Sequence, residues 1–336
     1  MNIGYIFLPL RVSNTRKMSQ TTNIHSDLVW YKRIALEILW CVCYLLGCTP
    51  RWFRFGVMMP FFSCLLRLVG YRKKVVIKNL TNSFPEKSEA EIQALARNFY
   101  DTLAEVVVTT ICLAAASPKQ ANEIMEWIDY EGHIERNKGR DWIAMAAHFG
   151  CWEYYPLWSW LDKECAFMSV YHTLRSDVFE HFYRRMRSRL APNISIVPMK
   201  DTLRHYIRNR SKEYTTVIGL ISDQSPILRA DSQWIDFLNQ KTTFIEGGER
   251  IAMKFGIPVY FVDAVRRKPG DYRMQLIELY DGKESVEEGE ITRRYAEALE
   301  KMIRRSPELW MWSHRRWKHS PEIQLKRFGT TTLTEN

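Results

Sequence analysis

A histidine and a glutamate in the segment Ala144–Glu153 are the residues whose types and spacing best suit catalysis. The segment predicts a buried strand that ends at His148, a turn at Gly150 and a helix whose first turn contains Glu153. On a continuous helix, side chains five positions apart would lie about 140° apart, but across a corner they can meet. The carboxylate would then fix the imidazole tautomer while the other ring nitrogen takes a proton, as in general-base catalysis. A histidine that is hydrogen-bonded at a strand end only for packing is the alternative interpretation.

Other reactive groups near this corner are less well supported. Cys151 lies beside His148 and could act as a nucleophile, although we expect it to be a small packing residue. The sequence has no GxSxG motif for an acyl-serine intermediate and no HExxH motif for zinc. Asp223 and Gln224 follow another predicted strand, where they either shape the site or, for Asp223, cap the following loop.

Short apolar runs alternate with helical patterns from residue 80 onward, which predicts an α/β fold with a mostly buried central sheet flanked by helices. A capping box at Ser88 and Glu91 begins a long amphipathic helix that ends before Pro118. Active residues of such sheets gather at the carboxyl ends of the strands. The predicted strands are Trp142–Ala147, Ala166–Tyr171, Ile194–Val197, Val217–Ser222, Val259–Val265 and Arg273–Leu279, and the predicted helices lie near Val178–Leu190, Thr202–Arg208, Gly248–Phe255 and Ile291–Ile303.

The N-terminal part of the chain is typical of a membrane-attached protein. The 22-residue run Leu28–Thr49 is marginally long enough to cross a bilayer, because charged residues crowd its start. The stretch Val57–Tyr71, with basic residues at 72–74, is typical of an interfacial helix. A pair of buried core helices is the alternative. We therefore expect a polar extension at 1–27, a hydrophobic membrane helix and an interfacial helix within 28–71, a globular domain at 72–320 and a tail at 321–336.

The composition restricts the partners and the compartment. The 336 residues include 48 Lys and Arg against 38 Asp and Glu, a net charge of +10, which predicts an anionic partner such as phospholipid, nucleic acid or an acidic protein. The seven cysteines are odd in number and form no CxxC pair, which indicates a reducing compartment rather than a disulfide framework. Trp and Arg side chains at 310–318 could stack on single-stranded nucleic acid. The basic residues are nevertheless spread along the chain without an RNA-binding signature, so nucleic-acid binding is the weaker alternative.

Several blocks of the chain, in the same order, resemble the bacterial lipid A late acyltransferases, also called lauroyl/myristoyl acyltransferases. The segment Ala147–Glu153 is similar to the His-x4-Asp/Glu block of that family and of glycerolipid acyltransferases in general. The resemblance extends over about residues 30–320. The other similar blocks are Asn79-Leu80 with Phe84–Glu86, Val170-Tyr171, Asp223-Gln224, Glu246–Ala252 with Pro258-Val259, and Pro307–Lys318.

This resemblance implies transfer of a fatty acyl chain from acyl carrier protein, or from coenzyme A, to a hydroxyl of a lipid A precursor, an anionic glycolipid. It implies no metal or other cofactor, no nucleic acid, and an inner-membrane protein whose catalytic domain faces the cytoplasm. A phospholipid or aminolipid acceptor is the alternative. His148 would be the general base and Glu153 its orienting carboxylate. The implied substrate-binding residues are Tyr171, Arg175, Arg187, Asp223, Gln224, Glu249, His314, Arg315 and Arg316.

Two positions depart from the pattern of the family. Cys151 stands where Asn is common, and His172 stands where Arg or Lys usually follows the tyrosine, which concerns the substrate preference. The segment His314–Lys318 combines three cations with two rings that can stack, so we expect it to bind an anionic head group. A basic face that rests on phospholipid is the alternative for this segment.

Overall fold

The computed structural model describes residues 28–117, 124–190 and 193–332, so the predicted extension at 1–27 lies outside the described residues. Within these ranges the chain forms one large mixed sheet and one small hairpin. The strands are β1 (Met125–Trp127), β2 (Trp142–Ala146), β3 (Ala166–Tyr171), β4 (Ile194–Pro198), β5 (Thr216–Ile221), β6 (Ile235–Phe237), β7 (Gln240–Thr242), β8 (Val259–Lys268) and β9 (Asp271–Tyr280).

The large sheet has the strand order β1-β9-β8-β2-β5-β3-β4. The five strands from β8 to β4 run parallel, whereas β9 is antiparallel to β8. Every residue of β2 is buried, as expected for a central parallel strand that is covered on both faces. The predicted α/β class with a central sheet flanked by helices is therefore confirmed.

The helices are close to the predicted positions. The capping box is present: the Ser88 backbone N–H donates to the Glu91 carboxylate, and the Glu91 backbone N–H donates to the Ser88 hydroxyl. The helices are α1 (Trp30–Gly47), α2 (Arg51–Leu68), α3 (Lys73–Ser83), α4 (Glu89–Leu113), α5 (Tyr130–Arg136), α6 (Trp158–Leu161), α7 (Asp177–Ser188), α8 (Thr202–Asn209), α9 (Gly247–Phe255), α10 (Glu290–Arg305) and α11 (Pro321–Phe328).

The two N-terminal helices form a sharply bent pair. No single helix of the described residues is long and apolar enough to cross a bilayer, and only α1 and α2 together, bent by 111°, meet that criterion. Helix α1 ends at Gly47, close to the predicted end of the apolar run, but with 18 residues it does not meet this criterion alone, so the expected membrane helix is not shown. Large apolar side chains remain exposed on both helices, including Trp30, Ile38, Leu45, Trp52, Phe61 and Leu68.

Several short elements were not predicted. The β6–β7 hairpin and β1 have three residues per strand, too few to show a hydrophobic period. Helix α11 lies in the predicted tail, and its Gln324 side chain is fully buried. The Gln324 amide donates to the carbonyl oxygens of Arg229, Ala230 and Ser232, which attaches α11 to the loop before β6.

A buried histidine lies at the amino end of the central sheet. The His133 ring packs edge-on against the rings of Trp142, Trp158 and Tyr260, with centroid distances of 4.6, 5.6 and 4.5 Å. Its Nε2 lies 3.3 Å from the Asn137 amide nitrogen, which suits a neutral ring that accepts a hydrogen bond. Burial, assisted by the nearby Arg136, lowers the pKa of His133 to about 4.

His133→Gln should reduce the loss of stability on acidification. Between about pH 6.5 and pH 4 the unfolded chain binds a proton at this histidine and the folded chain does not, so the free energy of unfolding falls as the pH falls. The full effect of this group is about 3 kcal/mol. Urea unfolding at pH 7 and pH 4.5 should show a smaller difference for the variant than for the wild type. Equal differences in the two proteins would contradict the buried neutral ring.

Candidate active site

A cavity of about 1020 Å³ lies at the carboxyl ends of the central parallel strands and extends along one face of the sheet. Its two ends differ in chemistry. One end carries the polar side chains His148, Glu153, Arg187, Gln224 and His314. The other end is walled by the aromatic side chains Trp127, Trp142, Trp158 and Phe167.

His148 lies on a tight turn that the C-terminal segment holds in place. The turn follows β2, and Gly150 has φ +52°, a left-handed conformation that favours glycine. An added Cβ at Gly150 would also lie 2.6 Å from the Tyr272 hydroxyl. The Gly150 N–H donates to the Leu309 carbonyl at 2.8 Å, and the His148 carbonyl accepts from the Met311 N–H at 3.1 Å.

The side chain that contacts the His148 ring is Asp223. Its Oδ1 lies 2.7 Å from His148 Nδ1, and its Oδ2 accepts from the His148 backbone N–H at 3.0 Å and from Trp310 Nε1 at 2.8 Å. Burial by itself raises the pKa of Asp223, but the electrostatic attraction of His148 and these three hydrogen bonds outweigh it, so the net pKa is below its usual value. An ionised Asp223 assigns the ring proton to Nδ1 and leaves the Nε2 lone pair available.

Gln224 contacts that second ring nitrogen. Its Nε2 lies 3.3 Å from His148 Nε2, a long and weak hydrogen bond. Both Gln224 and His148 border the cavity. A hydroxyl that enters the cavity can replace the Gln224 amide at the lone pair of His148.

Glu153 is paired with Arg187, which corrects the expected contact between Glu153 and His148. The carboxylate accepts from Arg187 Nε at 2.9 Å and from Nη2 at 2.6 Å, a bidentate ion pair. Glu153 lies in a buried 3₁₀ turn, Trp152–Leu157, rather than in an α-helix, and helix α7 supplies the arginine. Although burial opposes it, the charge of Glu153 raises the pKa of Arg187 above its usual value.

The family model described as bacterial lipid A biosynthesis acyltransferase matches residues 30–319. The chain belongs to this acyltransferase family. No curated protein matches the chain. The match includes the turn of His148, the strand end of Asp223 and the segment of Trp310, which are the parts that meet at the cavity. The protein is therefore an enzyme that transfers acyl groups, with a role in lipid A biosynthesis.

At the end of strand β3 in the acyltransferase, two residues singled out from the sequence border the cavity and a third does not. Tyr171 borders the cavity and its hydroxyl donates to the Glu180 carboxylate. His172 also borders the cavity, whereas Arg175 is exposed in the loop before α7. Arg187 borders the cavity and is held there by its ion pair with Glu153.

Glu249 has a structural role in this acyltransferase, which corrects its assignment as a substrate-binding residue. Its carboxylate accepts from the Gly289 N–H at 2.7 Å and from the backbone N–H and hydroxyl of Thr292. These groups belong to the first turn of α10. Glu249 is 1% exposed and caps that helix, because a buried carboxylate satisfies the free N–H groups at a helix N-terminus.

The three residues at 314–316 separate in space. His314 borders the cavity and its Nε2 accepts from the Ser225 N–H at 3.2 Å, and burial lowers its pKa to about 4, so it is neutral. Arg315 is exposed, but Arg316 is only 1% exposed. The expected clamp of Arg315 and Arg316 on one head group is therefore wrong, since the side chain of Arg316 does not reach the surface.

Arg316 instead lies inside the protein. Its Nη1 donates to the Thr242 hydroxyl at 2.6 Å, and its guanidinium lies 4.2 Å from the centre of the Phe244 ring. Burial lowers the pKa of Arg316 to about 10, although Asp223 opposes this shift. The group therefore keeps its charge at neutral pH.

A buried network of hydrogen bonds around Glu105, behind the His148 turn, was not predicted from the sequence. Glu105 of α4 is completely buried and accepts from the Gly270 N–H at 2.8 Å, the Tyr272 hydroxyl at 2.8 Å and Arg266 Nη1 at 3.0 Å. The Tyr272 ring in turn packs on Gly150. The charged residue inside the apolar pattern of α4 was the available signal, because a buried carboxylate requires partners.

Cys151 belongs to the same buried network. The Thr109 hydroxyl donates to its sulfur at 3.3 Å, and the sulfur lies 3.6 Å from a Glu105 oxygen. Burial and the charge of Glu105 raise the pKa of the Cys151 thiol well above its usual value, which suits a packing residue better than a nucleophile.

No group of three metal-ligating side chains occurs within the described ranges.

Asp223→Asn should lower kcat by a factor of about 10² to 10⁴, because an amide cannot balance the charge of the imidazolium and can donate to Nδ1 in the wrong tautomer. The measurement is steady-state acyl transfer by a variant whose thermal unfolding shows that it is folded. Gln224→Ala is the control at the other ring nitrogen and should stay within about tenfold of the wild type. An unimpaired Asp223→Asn enzyme would contradict the assigned role of this carboxylate.

Proposed function

We propose that this enzyme moves a fatty acyl chain from an acyl carrier protein or coenzyme A thioester to a hydroxyl of a lipid A precursor, with His148 as the general base. The observation that carries the proposal is the contact of Asp223 with His148 Nδ1 at the polar end of an otherwise apolar cavity. This geometry gives a base beside a space in which an acyl chain can be sheltered from water.

The proposed reaction begins when His148 Nε2 takes the proton of the acceptor hydroxyl. The hydroxyl oxygen attacks the thioester carbonyl, and the resulting tetrahedral intermediate carries its negative charge on the former carbonyl oxygen. The intermediate then expels the thiolate, which receives the proton from His148. Asp223 stabilises the transient imidazolium through its short hydrogen bond.

We propose Arg187 as the group that stabilises the oxyanion. It borders the same cavity as His148, and Glu153 holds its guanidinium through Nε and Nη2, which leaves Nη1 for the substrate. The Gly150 N–H is already bonded to the Leu309 carbonyl, which disfavours the glycine as an oxyanion donor. In this scheme Glu153 is a positioning residue that acts through Arg187.

For the head group of the acceptor we propose Lys318 and Arg315. Both side chains are exposed, and Lys318 borders the cavity. The buried Arg316 would instead support the site from behind through Thr242 and Phe244. An anionic glycolipid is the acceptor that this charge favours.

His148→Ala should abolish transfer while the protein remains folded. Cells that lack the enzyme should contain lipid A that is lighter by one acyl chain, and the wild-type gene but not His148→Ala should restore it, as mass spectrometry of lipid A can show. Cys151→Ala should also restore the chain and serves as the control at the same turn. An unchanged lipid A together with a missing phospholipid or aminolipid would identify the alternative acceptor instead.

We also propose that helices α1 and α2 attach the enzyme to the cytoplasmic face of the inner membrane. Their exposed apolar side chains are followed by the basic residues Arg72, Lys73 and Lys74, a combination that suits an anionic lipid surface. Helix α1 also packs against α7, which carries Arg187: Arg185 Nη1 lies 2.8 Å from a Glu37 oxygen. Membrane attachment would thus lie close to the cavity.

The double variant Phe61→Asp and Leu65→Asp should release a large share of the enzyme from isolated membranes. Both side chains are exposed on α2, and a charge there opposes burial in the lipid interface. Flotation of the full-length protein with vesicles that contain anionic phospholipid is the measurement. Ile323→Asp, an exposed apolar residue of α11, is the control and should leave flotation unchanged. Equal flotation of all three proteins would overturn this attachment site.

A further inference from the structure

The cavity continues from the reaction centre along the full length of strand β2. Trp142, Ala144 and Ala146 all line it, because alternate residues of a strand face the same side. His148 marks its polar end and Trp142 its aromatic end. The six residue steps from Trp142 to His148 correspond to about 20 Å of extended chain.

The register of strands β2, β5 and β3 arranges the residues that line the cavity in rows across the sheet. Ala144 of β2 lies opposite Gly219 of β5, and Gly219 lies opposite Ser169 of β3, so three small residues form one row across three neighbouring strands. All three line the cavity. The next row towards the aromatic end contains Trp142 and Phe167, each opposite Val217. The middle row of the lining therefore consists of small residues, and the end row carries bulky ones.

The aromatic end is tightly packed. The Trp158 ring lies 4.8 Å from the Trp127 ring and 5.6 Å from the Trp142 ring, between centroids. A Cβ added to Gly219 would lie 2.9 Å from Phe167 Cζ, so the tip of the Phe167 ring reaches Gly219. The Phe167 ring therefore covers Gly219 and narrows the cavity at the small row, while the packed rings of Trp127, Trp142 and Trp158 close its end.

We propose that the row of Ala144, Gly219 and Ser169 sets the maximum length of the donor acyl chain. This inference rests on the proposed function: the thioester lies at His148, and the methyl end of the chain passes the small row and stops at Trp142 and Phe167. The order of polar and apolar lining matches the order of groups in an acyl thioester. The acceptor hydroxyl enters at the polar end.

The spacing of the rows predicts the size of the effect. The small row lies two residues, about 7 Å, before the aromatic row. An extended alkyl chain advances about 1.2 Å per carbon, as does an extended peptide backbone per bond. A larger side chain in the small row should therefore shorten the longest accepted chain by about six carbons, and each methylene that loses its place should cost about fourfold in kcat/KM.

The test compares Ala144→Val and Ser169→Val with the wild type. Ser195→Val is the matched control, because Ser195 pairs with Met168 and so faces the opposite side of the sheet from Ser169. Acyl transfer to a lipid A precursor is measured with saturated acyl carrier protein thioesters and acyl-coenzyme A thioesters whose chains differ by two carbons. Thermal unfolding checks that each variant is folded.

Both cavity variants should lose at least about tenfold in kcat/KM for the chains that the wild type prefers and keep activity with chains about six carbons shorter. Ser195→Val should keep the wild-type profile. Uniform loss at every length, or an unchanged profile in both folded cavity variants, would overturn the length-setting row while leaving the proposed function intact. Absence of transfer by the wild type with every donor would refute the proposed function itself.

A second readout does not depend on turnover. Binding of free saturated fatty acids, measured through quenching of tryptophan fluorescence, should show the same shift to shorter chains in Ala144→Val and Ser169→Val. Fatty acids of every length that bind equally well to the wild type and to both variants would overturn the proposal even if transfer is slow.

Discussion

The buried carboxylate of Asp223 is the interaction on which the arrangement of the site depends. It accepts hydrogen bonds from the backbone and ring of His148 and from the indole of Trp310. These groups come from the end of β2, the end of β5 and the C-terminal segment. A carboxylate in the protein interior is costly unless it is fully bonded, so the three segments must meet for the fold to be stable. The same requirement places the imidazole at the cavity.

The other buried charges support this centre from two sides. Glu153 and Arg187 connect the turn after His148 to helix α7, which packs against the N-terminal helices. Glu105 and Arg266 connect helix α4 to strands β8 and β9, and Tyr272 transmits this contact to Gly150. Removal of either partner of such a pair leaves an uncompensated charge in the interior. The catalytic turn is thus held by paired charges rather than by apolar packing alone.

The parallel sheet contributes both the stability and the substrate space. Its central strands are buried, yet β2, β5 and β3 carry small residues in one register row that faces the cavity. Bulky residues at the same positions would complete an ordinary core and remove the cavity. The aromatic residues that would otherwise fill this region are collected at one end around Trp158 and His133. Because His148 borders this cavity, an acyl chain bound there would lie next to the imidazole.

The sequence by itself determined the features that depend on neighbouring residues. Strand Ala166–Tyr171 and the capping box at Ser88 were predicted residue by residue, since hydrophobic period and capping act within a few positions. The turn at His148 and Gly150 was also predicted, because a short apolar run there is followed by a glycine. The predicted strand ends agree with the structure to within three residues.

Only the tertiary structure decided which charged groups meet. His148 and Asp223 are 75 positions apart, and Glu153 and Arg187 are 34 apart, so no local spacing reveals either pair. Arg315 and Arg316 have the same chemistry in the sequence, but Arg316 is buried because the chain after Trp312 turns towards Phe244. Glu249 was assigned to the site because it lies in a motif of the family. In the folded chain its carboxylate contacts the N-terminus of α10 and caps that helix. Such choices depend on the desolvation of each charge in the folded chain, which the order of residues does not express.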